Sequence, residues 1–129
     1  MAKAATMKFK KGDGITHYFK MPLSSYSVGG TLYFAAKPEV DNDATDAAAV
    51  IDKSFDDSVV DTSDGVYAVY TLSFGPNDIT GVSFVNGEKK KKYLGEFQHV
   101  PLTGGPSSFP GNDDYIEVII YADIKRGTS

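Results

Sequence analysis

The chain predicts an all-β fold, a single antiparallel β-sandwich, and three observations lead there. Apolar and polar residues alternate with period 2 through most of the sequence, most legibly where β-branched and aromatic residues carry the apolar positions. Turn-forming pairs recur between these runs at short intervals. Long helical periodicity is missing. The one credible helix, Ala44 to Ile51, is too short to anchor a layer and reads equally as a loop leading into a strand from Val50 to Phe55.

Taken in order, ITHYFKM places Ile15, Phe19 and Met21 on one face, and TLYFAAK does the same for Leu32, Phe34 and Ala36. In VYAVYTLSF, the inward set is Val66, Ala68, Tyr70, Leu72 and Phe74. Val82 to Val85 followed by Asn86-Gly87 predicts a hairpin with strands on both sides, because Asn-Gly tolerates the positive φ values of a type I′ turn. The clearest strand is YIEVIIYADIKR, with Ile116, Val118, Ile120, Ala122 and Ile124 on one face and Tyr115, Glu117, Tyr121 and Asp123 on the other. Gly29-Gly30, Pro38, Asp64-Gly65, Gly75 to Asp78 and the long stretch from Pro101 to Asp114 punctuate the strands. About seven short strands so spaced favour a sandwich of immunoglobulin-like size over a closed barrel.

The 129 residues suit one domain, since two cores cut from this length would each be marginal. The expected organisation is a flexible lead-in over residues 1–6, the sandwich over 7–126 and a tail over 127–129. With no Cys in the chain, disulfides, zinc thiolate sites and cysteine nucleophiles are excluded, and folding in a reducing cytosol is permitted. The apolar run Val118 to Ala122 falls far below the roughly 20 residues of a membrane helix. The N-terminus has lysines with no apolar run behind them, unlike a secretory signal. A formal charge of −4 disfavours nucleic acid, which demands a concentrated positive surface.

Chemistry-bearing constellations are few. An EF-hand count puts Asp41, Asp43 and Thr45 at the first three side-chain ligand positions and Asp52 at the twelfth. The count then fails, with Asp46 where a Gly is needed for the sharp turn and no longer bidentate Glu at the end, so no metal is expected. A solvated crossing rich in side-chain to backbone turns explains the same residues. The lysines of Glu88 to Lys92 project alternately to both faces and read as the protective charge of an edge strand. As a carboxylate pair, Glu117 and Asp123 stand roughly 20 Å apart along one strand, too far for a glycosidase, while Glu96 approaches either only across a sheet. His17 and His99 lie on separate strands with no nucleophile motif beside them. Neither catalytic residues nor a cofactor are expected.

The runs KKGDG, LYFAAKPEVDNDATDAAAVIDKSF, YAVYTLSFGPNDITGV, KKKYLGEFQHV and YIEVIIYADIKR together resemble the small immunoglobulin-like domains of tailed-phage structural proteins. The nearest set is the N-terminal domain of the phage baseplate upper protein family. The resemblance spans most of Met7 to Lys125 and rests on strand and turn patterns plus the KGD-like start. It implies a non-enzymatic sandwich that joins tail, baseplate or capsid proteins in the virion after assembly in the host cytoplasm. Tyr33 and Tyr121, on faces opposite the inferred core, are the candidate partner-binding residues, and self-association into a homo-oligomer stays open. The alternative reading is a carbohydrate-binding module for host surface glycans with exposed Tyr and Phe as platforms; a small hydrolase is the third.

Overall fold

The computed structural model describes residues 3–38, 49–111 and 114–122, and apart from three single 3-10 turns their regular structure is all β. Nine strands form, from β1 (Lys3–Lys10), β2 (Ile15–Pro22), β3 (Thr31–Lys37) and β4 (Ile51–Phe55) through β5 (Val60–Asp61) and β6 (Tyr67–Phe74) to β7 (Lys90–Val100), β8 (Ser107–Phe109) and β9 (Tyr115–Tyr121). The larger sheet runs β1-β9-β7-β3-β4, with β8 attached to β7, and the smaller runs β2-β6-β5.

Alternation dictates the core. Leu32, Phe34 and Ala36 of β3, Ala68, Tyr70, Leu72 and Phe74 of β6, and Ile116, Val118 and Ile120 of β9 are all buried. Aromatic rings bring the sheets together: Phe74 of the smaller sheet meets Phe9 at 5.1 Å and Phe34 at 5.8 Å, and Phe19 meets Phe97 at 4.5 Å. Such tilted and edge-on contacts satisfy the ring quadrupoles as well as removing apolar area from water. Gly95 is required where β7 crosses under this cluster, because a Cβ there would lie 2.7 Å from Val118 Cγ2 and 3.2 Å from the Phe34 ring.

At the sheet margin, Lys53 of β4 reaches across to the turn after β6. Its Nζ donates to the Ser73 carbonyl and to Asp78 Oδ2, both at 2.7 Å, while the same Asp78 oxygen accepts from the Gly75 N–H at 2.7 Å. At one end of the fold, the loops after β2 and β4 are joined through Asp57, whose carboxylate accepts from the Tyr26 hydroxyl at 2.9 Å and from the Gly29 N–H.

Several expectations need correction. The sheets are not wholly antiparallel: β1 pairs with β9 in parallel from Lys3↔Tyr115 to Lys10↔Tyr121. β1 begins at Lys3, inside the segment expected as a lead-in, because its Met7 and Phe9 are buried opposite Val118 and Ile120. The Asn86-Gly87 turn forms, with Gly87 at φ 89° and the Glu88 N–H bonded to the Val85 carbonyl, yet residues 82–85 make no strand. Val82 is instead buried against the core as irregular chain. Val66 is 60% exposed, one residue before β6 starts. Ile51 opens the strand β4, in line with the loop-then-strand reading of Val50 to Phe55, so the alternative helix does not reach that far; its residues 44–48, like Ile124 and the tail 127–129, lie outside the described residues.

Candidate functional site: the outer face of the larger sheet

On β9 the apolar run Val118-Ile119-Ile120 breaks the alternation, so one isoleucine must face outward. Register assigns it: Val118 and Ile120 oppose the buried Met7 and Phe9 of β1, whereas Ile119 opposes Lys8. Ile119 is nonetheless only 8% exposed. Its row reads Lys8, Ile119, Lys92 across β1, β9 and β7, and the next row reads Lys10, Tyr121, Lys90. Long lysine stems flanking an apolar column cover it with their methylene groups. The outcome is an aliphatic and aromatic spine bordered on both sides by positive charge.

Further down β9, Glu117 anchors the lower edge of this face. Its Oε1 lies 3.5 Å from Lys3 Nζ and accepts from the Thr6 hydroxyl at 3.4 Å, and its Oε2 lies 3.5 Å from Lys92 Nζ. Partial desolvation pushes its pKa up, but Lys3 and Lys92 outweigh that and hold it below the usual glutamate value. Beside it, Lys92, Tyr93, Leu94, Tyr115 and Glu117 line a shallow open depression between β7 and β9.

β7 is paired with β9 over Lys90–Gly95 and with β3 over Leu94–Val100, so among the described residues Lys90 to Lys92 have a strand partner on the β9 side alone, an edge position of the kind expected. They alternate between faces. Lys90 and Lys92 point outward, whereas Lys91 opposes Ile120, lies 5.9 Å from the Phe84 ring centroid and pairs with Glu88 at 3.7 Å. The lysines of β1 escaped notice as partners of this run because only the parallel β1–β9 pairing brings them alongside. KFK at Lys8–Lys10 carried the alternation, and nothing local carried the pairing.

Both tyrosines named from sequence stand on this outer face, but far apart. Tyr33 of β3 opposes Gln98 of β7 and is 43% exposed, whereas Tyr121 opposes Lys90 and is half-buried. Gln98 and Lys90 are eight residues apart on one strand, roughly 26 Å at strand rise. Tyr121 belongs to the lysine-bordered spine; Tyr33 does not.

The remaining candidates sort by position. Glu96 lies one register step past the Gly95/Ile116 pair, diagonal to Glu117. Desolvation raises its pKa against the pull of Lys37, the opposite direction from Glu117. Opposed shifts are what an acid and base need, but these two carboxyls stand on an open sheet face instead of flanking a cleft that would hold a scissile bond. His17 sits against Phe9 at 4.9 Å with Nε2 2.9 Å from the Lys8 carbonyl, and His99 is buried opposite Leu32 and Ser107. Both histidines serve packing. Asp41, Asp43, Thr45 and Asp46 lie outside the described residues, while Asp52 faces outward on β4 opposite Ala35. Among the described residues no group of three or more His, Cys, Asp or Glu side chains gathers in metal-binding proximity, and no helix is long and apolar enough to cross a membrane.

Compared with protein-family models, curated proteins and solved structures, the chain matches none of them.

Proposed function

We propose that this chain is an immunoglobulin-like sandwich working by surface contact, a structural and assembly domain that joins tail, baseplate or capsid proteins of a phage virion. The observation that carries the binding role is the open outer face of β1, β9 and β7, where Tyr121 and the lysine-covered Ile119 run between lysines. Open sheet surfaces of mixed apolar and charged character suit protein partners better than small substrates, which occupy concave pockets.

Strand order supports the immunoglobulin-like part. β9-β7-β3-β4 follows the G-F-C-C′ order of a variable-type sheet, and β2-β6-β5 follows B-E-D. Where antibody domains place a disulfide between strands B and F, Phe19 of β2 and Phe97 of β7 stack at 4.5 Å, and Phe34 of β3 packs against Phe97 at 4.7 Å in the role of the strand C tryptophan. The virion part is supported by the resemblance of the strand and turn runs to tailed-phage domains.

The test is to purify particles from cells producing the chain and look for it by mass spectrometry. Stoichiometric recovery with the particles is expected; recovery solely from the soluble fraction defeats the virion reading. The carbohydrate-binding alternative has one observation in its favour, the exposed Tyr18 and Tyr67 on the smaller sheet. Saturable binding on a glycan array, lost on Tyr18→Ala, would put that reading first.

A further inference from the structure

The two sheets turn faces of different charge to the outside, with lysines in excess on one and aspartates on the other. The larger sheet presents the rows Lys8, Ile119, Lys92 and Lys10, Tyr121, Lys90. On the smaller sheet, β5, β6 and β2 set Asp61, Val69 and Lys20 in one row, with Tyr67 opposite Pro22 in the next and Tyr18 opposite Thr71 on the other side. This second face exposes two aromatic rings, Tyr18 at 68% and Tyr67 at 38%. It is also bordered by fixed negative charge. Asp61 accepts from the Ser63 N–H at 2.9 Å, and Asp64 accepts from the N–H groups of Val66 at 2.7 Å and Tyr67 at 2.8 Å. These bonds hold both carboxyls below the usual aspartate value, so they are ionised at neutral pH. No Lys or Arg occurs anywhere from Ser54 to Val66. Lys20 lies over the Tyr67 ring, 5.6 Å from its centroid.

We propose that the lysine-bordered face of one copy docks on the aspartate-bordered face of a second copy of this chain. Each face has an apolar patch, Tyr121 beside the lysine-covered Ile119 on one and Val66, Tyr67 and Val69 on the other, and the charges bordering the two are of opposite sign. The lysine face does not complement itself, because a two-fold contact between two such faces would set like charges opposite one another. The contact is therefore heterologous, leaving one face of each kind open and continuing into a ring or filament. Three strands about 4.8 Å apart and two or three outward rows about 7 Å apart give a footprint of a few hundred Å² per copy, well below that of a stable complex. Association is weak and needs high concentration or a scaffold. The net charge of −4 opposes it at long range, but beyond about 10 Å that repulsion is screened at 0.1 M salt, while the facing charges are in contact. The proposal does not depend on the virion reading.

The test is sedimentation velocity on the purified chain from about 10 μM to about 1 mM, at low salt and at about 0.5 M salt, where the Debye length has fallen to a few ångströms. The sedimentation coefficient should climb with concentration at low salt and return to the monomer value at high salt. Lys8→Glu with Lys90→Glu, and separately Asp61→Asn with Asp64→Asn, should each stay monomeric with melting temperatures near wild type; the asparagines keep the turn acceptors. An equimolar mixture of the two variants should form a dimer and nothing larger, since only one intact face of each kind remains. Monomer throughout at low salt overturns the proposal, as does a wild-type assembly that both variants retain or a mixture that restores no dimer. Should either variant unfold, the concentration and salt series on the wild-type chain still decides.

Discussion

Phe19 on β2 and Phe97 on β7 meet at 4.5 Å between ring centroids, one ring from each sheet, and Phe109 of β8 closes on the first at 5.6 Å. The two sheets are held at this point by ring contact with no covalent bridge, for the chain has no cysteine. Phe97→Ala removes a buried ring that also touches Phe34, and should cost about 3 to 5 kcal/mol. Phe19 is only half-buried, so Phe19→Ala should cost less. Urea unfolding of both variants checks the order; a larger loss at Phe19 would place the centre of the core elsewhere.

Gly95→Ala adds one methyl group directly against Val118 and the Phe34 ring. Neither neighbour is the free end of a flexible chain, so the strand has to shift. A loss of about 1 to 3 kcal/mol is expected, the usual consequence of overfilling a packed core. Gly65→Ala meets no atom within 4 Å but sits at φ 76°, so its smaller cost comes from backbone conformation alone.

The Lys53–Asp78 pair ties β4 to the turn after β6 and should show in the acid limb of stability. Burial raises the Asp78 pKa, but the hydrogen bonds from Lys53 and Gly75 prevail and hold it below 3.8. A depressed carboxyl stabilises the fold at pH values above its ordinary pKa, and that contribution drains away as pH falls from there through the folded value. Asp78→Asn should cost about 0.5 to 1 kcal/mol at neutral pH, and the gap to wild type should narrow below pH 3.8. A gap that stays constant down to pH 2 would deny the carboxylate this role.

Under the assembly reading, Tyr121→Ala should weaken recovery with tail or capsid proteins more than Tyr33→Ala, since Tyr121 alone stands within the lysine-bordered spine. Tyr33→Ala should shift the melting temperature by no more than a degree or two, as expected for an exposed side chain. Equal effects of the two on recovery would move the contact surface away from β9.

Alternation made the inward faces of β3, β6 and β9 readable before any coordinates, because a half-buried strand repeats its environment every second residue. It failed where burial comes from somewhere other than a strand partner. Val82 packs inward from irregular chain, and Ile119 is shielded from outside by its lysine neighbours. The outer site was half legible. Tyr121 stood out as an aromatic on the wrong face, but its company depends on β1 lying beside β9 across more than a hundred residues, and local sequence carries no record of such a pairing.

That parallel pairing also determines how the domain would bear load. With β1 and β9 side by side and running the same way, tension applied at Lys3 and at Tyr121 draws the two strands past each other along their length. The rungs from Lys3 to Lys10 are then strained together instead of peeling open one after another as at the end of a hairpin. A domain pulled through these strands resists as a shear joint, and its failure force in single-molecule stretching should exceed that of the same domain pulled apart across β2 and β6, whose antiparallel bonds can unzip from one end.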